Sequence, residues 1–569
     1  MRIRRQAERC IQGRMMMEKM IRKAYSLPKE MSAEVILWGG NILTMDPGRP
    51  KAQAVAIKSG RFLKVGRDAE IKALAGGKTK TIALQGRTVT PGFIDSHQHL
   101  SQVGTNLLQI DCNPKLCRSI THIQRVVRKE AKRKPSGEWI RGVGYDDTKT
   151  VDQRILNRGD LDEVSPDHPV FIQHVSGHWG VANSKGLQAG GVAEDSPDPK
   201  GGAYGRDPRT GKLNGILYEQ AEFAYIFEGM TGQPPIIPPF SLKDRIKGLR
   251  IACDQYLTAG ITSVNDALVS AMTLDTYQEV WKKRELRLRV YMLITYEYLP
   301  HLQTLGLKTG FGDEWLKVGG IKIIADGAIA GRTAFLSAPY IGTQNKGILV
   351  AESEEALHES ILRGHQAGFQ VCVHANGDRA IEMTLDGFEK ALRKYPRKDH
   401  RHRLEHCTVV NRGILKRMKQ LKLLAVPFGS YIHYHGEKMI LYYGQERVEM
   451  MFAHRSFLDY GIPVSGSSDN PCGPYEPLLG IQSCVTRKSA TGEVLGAEQK
   501  ISVDEAIYLY TMASAYASFE ENLKGSITPG KVADLVILGE DPRRVNPDEI
   551  KDIPVEMTIV GGRIEYRKA

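Results

Sequence analysis

The sequence predicts an α/β protein, a distorted (β/α)8 barrel accompanied by a small composite β-sandwich built from both chain ends. Three observations carry this. A length of 569 residues exceeds one ordinary domain and suits a large barrel with a companion. The middle of the chain alternates β-branched runs with segments of helical apolar spacing, which implies parallel strands joined by right-handed crossovers. The two ends have another texture, short apolar runs broken by Gly, Pro and Asp, as in antiparallel strands.

Taken in order, Met1–Glu30 is a basic arm with nine Lys or Arg against three Glu. It lacks the continuous apolar core of a signal peptide. A targeting or anion-binding role is one reading. A disordered tail, or a stretch ahead of the true start, is the simpler one, because Met15, Met16, Met17, Met20 and Met31 follow. From Glu34 the runs "EVILWGGNILTMD", "QAVAIKSGRFLKVG" and "KTIALQGRTVTPGF" read as strands, and "GSITPGKVADLVILGEDP" and "VEMTIVGGRIEY" match them at the far end. Isolated hairpins could not bury their apolar faces, so residues 31–92 and 519–569 are expected to form one sandwich. Asp534, inside "KVADLVIL", is read as structural.

Residues 93–518 are assigned to the barrel. Its strands are "GFIDSHQH", "ITSV", "LRVYMLITY", "GGIKIIAD", "FQVCVH", "HRLEH", "KLLAVP" and "IPVSGSSD", with helices such as "SEEALHESILRGHQAG" between them. The run "PVFIQHV" would make a ninth and is placed in an insertion at about residues 100–241.

Composition narrows the function. The chain is 41% hydrophobic and 25% charged, with no apolar run of membrane-spanning length. The net charge of +13 could suggest nucleic acid, but part of the excess is local to the arm and the rest is diffuse. A small-molecule substrate is therefore expected, with no specific nucleic-acid partner and no membrane. The oligomeric state is open, a homodimer included. Eight cysteines without a CxxC pair or a dense framework point to a reducing cytoplasm and buried thiols.

The chemistry is read from strand ends. In "PGFIDSHQHL", His97 and His99 lie two residues apart on a strand and so face the same way, where two imidazoles can ligate one divalent ion, with Asp95 as a candidate orienter. His374, His406 and Asp469 also close strands, and in a parallel barrel all such ends open on one face. Four imidazoles and a carboxylate gathered there would be costly to desolvate without a shared partner. Lys322, in "GGIKIIADGA", either pairs with a neighbour such as Asp326 or carries a carboxylate adduct bridging two metals, since a bare ammonium would be repelled by them.

"PGFIDSHQHL", "IKIIADGAIAGRTA", "VCVHANGDRAI", "RLEHC", "SGSSDNP" and "GSITPGKVADLVIL" together resemble the amidohydrolase superfamily, in its amidohydrolase-3 or YtcJ-like branch, from about Glu34 to the C-terminus. The resemblance implies a metal-dependent hydrolase of carbon–nitrogen bonds other than peptide bonds. It implies that His97 and His99 bind one ion, His374 and His406 a second, that carboxylated Lys322 bridges them, and that Asp469 contacts the metal and the attacking water. A divalent ion, zinc or another that suits nitrogen and oxygen ligands, at one or two per chain, would lower the pKa of water towards about 7. Asp469 would carry the catalytic proton.

Other segments match the branch more loosely. "SGHWGVANS" suggests that His178 and Asn183 approach the site, and "GYDD" suggests Tyr145 and Asp146 as substrate contacts, with Asp147 where the branch usually has Glu. Arg332 and Thr333 in "GRTA" could meet an anionic group, an internal salt bridge being the alternative for Arg332. Cys372 and Cys407 are read as packing. The expected substrate is an N-formyl, N-acyl or cyclic amide. Deamination of a heterocycle or aryl amine on the same barrel is the competing activity, and a non-catalytic scaffold is the competing class.

Overall fold

The computed structural model describes residues 32–152, 154–228 and 233–569. The basic arm Met1–Glu30 lies outside the described residues. The barrel is a seven-stranded sheet with parallel neighbours: β1 (Phe93–Gln98), β2 (Ile261–Val269), β3 (Arg289–Thr295), β4 (Leu316–Ile324), β5 (Gln370–Ala375), β6 (Arg403–His406) and β7 (Leu424–Val426). The eighth segment, expected as the strand "IPVSGSSD", is irregular. It touches β7 and its extension through two parallel bridges, Ala425 to Val464 and Phe428 to Ser467. It reaches β1 through Ser96 N–H to Gly466 C=O at 3.1 Å and Asp469 N–H to the His97 carbonyl at 2.9 Å. The ring thus closes by isolated contacts between β7 and β1.

Crossover helices bury their apolar stripes on the sheet, as Asp378–Lys394 does through Ile381, Leu385 and Phe388. The insertion leaves after β1. It holds a six-stranded mixed sheet that includes Val170–His174, the "PVFIQHV" run, and ends with Leu213–Glu219 and the helix Gln220–Ile226. It returns through helix Leu242–Thr258, which crosses helix Leu100–Asn106 so closely that a Cβ on Gly248 would lie 2.1 Å from the Gly104 carbonyl oxygen.

Strands from both chain ends share a sheet, since Leu535–Leu538 pairs with Thr88–Pro91. A second sheet, formed by Ala33–Trp38 and its neighbours, packs on it through Leu37, Val55, Phe62, Val89, Ile537 and Ile559. Asp534 ties this unit to β3: the Arg289 guanidinium donates to both of its oxygens at 2.6 and 3.0 Å. Both side chains are buried, so removing either leaves an unpaired charge costing about 3–5 kcal/mol. No helix among the described residues is long and apolar enough to cross a membrane. The seven described cysteines are buried and unbonded.

One histidine far from the barrel mouth sets a pH response. His454 is buried with Nδ1 2.9 Å from the Phe452 carbonyl, and burial, with Arg487 nearby, pushes its pKa down to about 3. Between that value and its ordinary 6.5, the unfolded chain binds a proton that the folded chain refuses. Stability is therefore expected to fall as pH drops through this window. Urea midpoints measured from about pH 6.5 to about pH 4 should fall less steeply in His454→Gln than in the wild type, and equal slopes would contradict the assignment.

Candidate metal centre

His97 and His99 stand at the end of β1 and beyond it. Both point Nε2 at Asp469 Oδ1, at 3.5 and 3.2 Å. Nitrogen and oxygen atoms of these three residues lie within 4.8 Å of one another. Asp469 sits at φ +54°, a left-handed conformation that Asp tolerates better than most residues, and this turn aims its carboxylate back across the barrel mouth. Asp95 is not an orienter of an imidazole. Its carboxyl accepts from the backbone N–H of Ser468 at 3.1 Å and of His97 at 3.2 Å, and from the Ser468 hydroxyl. It therefore fixes the two backbones that present His97 and Asp469, and burial raises its pKa to about 7.

Lys322 projects from β4 with Nζ 3.3 Å from His97 Nε2. The imidazoles of β5 and β6 complete the group, the His406 ring lying 4.7 Å from that of His97 and 4.5 Å from that of His374. Strand alternation alone would send Glu405 and His406 to opposite faces. Left-handed backbone at His406 (φ +69°) and Cys407 (φ +44°) ends β6 in a turn that brings both side chains to the His97 ring. Glu405 is the orienter that the sequence reading missed. It is fully buried, takes His97 Nδ1 in a short hydrogen bond, and is itself held by Arg403 at 2.7 and 2.9 Å. Tyr431, also missed, donates its hydroxyl to Asp469 Oδ2 at 3.3 Å.

These groups suit a cation. Burial, reinforced by the neighbouring imidazoles and Lys322, holds His97, His374 and His406 well below the usual histidine range, so their nitrogens are neutral donors of electron pairs. His406 Nδ1 is buried without a hydrogen-bond partner, a costly state for a polar atom. Burial lowers Lys322 to about 8, which makes the free amine accessible near neutral pH. His374 Nε2 is within 3.1 Å of the Gly327 carbonyl and of the Asn376 amide, which fixes its ring. A second group, Asp146, Asp147 and His174, has ligand-type atoms equally close. It fits a cation poorly. Lys438 already donates to Asp146 at 2.8 Å, and His174 Nδ1 accepts from Ser176 N–H at 3.1 Å, so its Nε2 carries the proton and lies 3.2 Å from Asp147.

The remaining expected residues divide. His178 lines the cavity over the centre together with His99, Lys322, His374, His406 and Asp469. Its ring lies 5.0 Å from that of His374. Burial opposes its charge, but Glu219, 2.6 Å from Nδ1, together with the carboxylates of Asp469 and Asp326, more than offsets burial and raises its pKa. Tyr145 is instead part of the insertion's core, its hydroxyl accepting from Leu156 N–H at 2.8 Å and its ring edge-on to Trp179. Asp146 is the partner of Lys438 and is absent from the cavity lining. The Arg332 guanidinium lies 4.8 Å over the Tyr442 ring, and Thr333 Oγ1 accepts from Ala328 N–H, so neither lines the cavity. Asn183 caps the helix Ser184–Ala189. Cys407 packs beside Met418. Cys372 is packing too, but on the same face as His374, one layer deeper with Tyr291 and Leu293.

The amidohydrolase family matches residues 80–566, the whole barrel and part of the two-sheet unit. The chain belongs to the amidohydrolase family. Among its relatives, this amidohydrolase is 29% identical to the N-substituted formamide deformylase of Arthrobacter pascens, over 94% of this chain and 98% of that one. It is 29% identical to LONG AFTER FAR-RED 3 of Arabidopsis thaliana, over 96% and 93% of the two chains. The crystal structure of a metal-dependent hydrolase from Pyrococcus horikoshii OT3 superposes on the amidohydrolase with a TM-score of 0.71 at 26% identity, covering 90% of this chain and 99% of that one.

Proposed function

We propose that this amidohydrolase hydrolyses the carbon–nitrogen bond of an N-formyl or N-acyl amine, or of a cyclic amide, using one or two divalent ions, zinc foremost. The observation that supports it most is the gathering at the barrel mouth of His99, of His97, His374 and His406 held neutral by burial, of a lysine of lowered pKa and of Asp469. His97 and His99 would hold one ion with Asp469, and His374 and His406 a second. The amine of Lys322 would add to carbon dioxide, forming a nitrogen–carbon bond and releasing one proton, and the resulting carboxylate would bridge the two. A bound divalent ion supplies a lowered water pKa and polarisation of the substrate carbonyl.

The protein's own groups supply the rest. Glu405 holds His97 in register, Tyr431 orients the Asp469 carboxylate, and Asp469 accepts the proton of the attacking water, then delivers it to the leaving nitrogen as the carbon–nitrogen bond breaks. The products are a carboxylate and an amine. A larger cavity shares Gln102, Phe227 and Leu268 with the one over the centre and continues past Phe171 and Phe240. It gives a substituent on nitrogen an apolar place to rest, in keeping with the relative named for N-substituted formamides. The unbonded, buried thiols suit a cytoplasmic setting.

The test is elemental analysis of purified protein alongside formate or acid release from a panel of N-formyl, N-acyl and cyclic amides. Metal at one or two equivalents per chain, hydrolysis lost on chelation and restored by zinc are the expected results. Ammonia release from heterocyclic or aryl amines, without hydrolysis of the panel, would favour deamination.

A further inference from the structure

We propose that the insertion completes the active centre with a dyad, in which Glu219 orients His178 so that Nε2 donates a hydrogen bond to the substrate carbonyl oxygen as it gains negative charge. This rests on the carbon–nitrogen hydrolysis reading. His178 is then a catalytic residue supplied from outside the barrel, and Glu219 a positioning residue that acts through it.

Four features place the dyad. Glu219 ends the strand Leu213–Glu219 at φ +52° and ψ −120°, a conformation unfavourable for Glu that persists only where its surroundings enforce it. Its carboxylate is fully buried, an arrangement that is costly without a cationic partner, and His178 Nδ1 lies 2.6 Å from Oε2. Oε1 has no hydrogen-bond partner, and the nearby Glu222 is held by Gln173 at 3.1 Å through one oxygen only. A Cβ at residue 327 would lie 2.3 Å from Glu219 Oε1, so only glycine there lets the carboxylate approach the loop whose carbonyl fixes His374.

The consequence is directional. With a fully buried carboxylate held on Nδ1 the ring cannot turn, which leaves Nε2 as the working nitrogen. No described residue hydrogen-bonds to that atom, and the ring lines the cavity 5.0 Å from the ring of His374. A donor fixed beforehand at the point where an oxyanion develops stabilises the transition state more than the bound substrate.

The test uses the full-length, zinc-loaded protein with His178→Asn, Glu219→Gln, Glu219→Asp and the double variant His178→Asn/Glu219→Gln. Two readouts are taken: kcat and KM on an N-formyl amine, and calorimetric binding of methylphosphonate, a tetrahedral anion that mimics the reacting centre. His178→Asn is expected to lower kcat about 100-fold with KM and zinc content kept, and to weaken methylphosphonate by about tenfold or more. Glu219→Gln should show the same pattern, Glu219→Asp should recover part of the loss, and the double variant should be no worse than His178→Asn alone. Wild-type kcat in Glu219→Gln, losses that multiply in the double variant, or methylphosphonate binding that is absent or indifferent to the dyad would overturn the proposal. Dyad-dependent methylphosphonate binding without hydrolysis of any amide would instead remove the carbon–nitrogen reading and leave the dyad standing.

Discussion

Asp469→Asn is expected to lower kcat by about 100- to 10,000-fold while changing KM little. Asn preserves the side chain's shape and one acceptor oxygen, and His97 and His99 remain to hold an ion, so the loss falls on proton transfer. The Asp469 backbone N–H still donates to the His97 carbonyl, and the Ser468–Asp95 contacts that fix the turn are untouched. Steady-state kinetics with metal content measured on the same sample checks this. A variant that keeps its metal and turns over within about threefold of the wild type would remove Asp469 from the chemistry.

Glu405→Gln carries the second large effect, and it falls on two quantities at once. The substitution removes the anion from a fully buried chain running from Arg403 through Glu405 to His97 Nδ1. The guanidinium is then stranded in the barrel, at a cost of about 3–5 kcal/mol in folding stability. The imidazole also loses the partner that sets its tautomer, and metal affinity should drop by about 10- to 100-fold. The double variant Arg403→Met/Glu405→Leu separates the two effects. It should recover much of the denaturant midpoint, because no charge is left buried, without recovering metal affinity. Recovery of both would reduce Glu405 to a structural residue.

Much of this centre could be read before any coordinates. The i, i+2 spacing of His97 and His99 works because β1 is a regular strand leading straight to the mouth, and His374 and Lys322 likewise sit on regular strands. Periodicity fails where backbones leave the regular form. The left-handed turn at His406 puts Glu405 and His406 in one place, which alternation forbids, so the sequence pattern points to Asp95 as the orienter instead. The carboxylate two residues after Arg403 in "HRLEH" was the available signal.

The insertion was legible only in part. Its strand "PVFIQHV" could be excluded from the barrel by counting, but which of its polar residues face inward depends on how a six-stranded mixed sheet folds over the mouth. Tyr145 and Asp146 are polar and lie in "GYDD", yet Tyr145 fills the insertion's core and Asp146 neutralises Lys438. His178 does reach the cavity, because the turn before Trp179–Ala182 and the left-handed residue Glu219 carry it there. "SGHWGVANS" signals His178, but no local pattern in the sequence points to Glu219 as its partner.

Anomalous diffraction from crystals of the zinc-loaded protein, recorded on either side of the zinc absorption edge, locates the metal. A peak bounded by His97, His99 and Asp469 is expected, with any second peak beside His374, His406 and Lys322. A map whose zinc lies elsewhere, with those imidazoles free of metal, would contradict that placement.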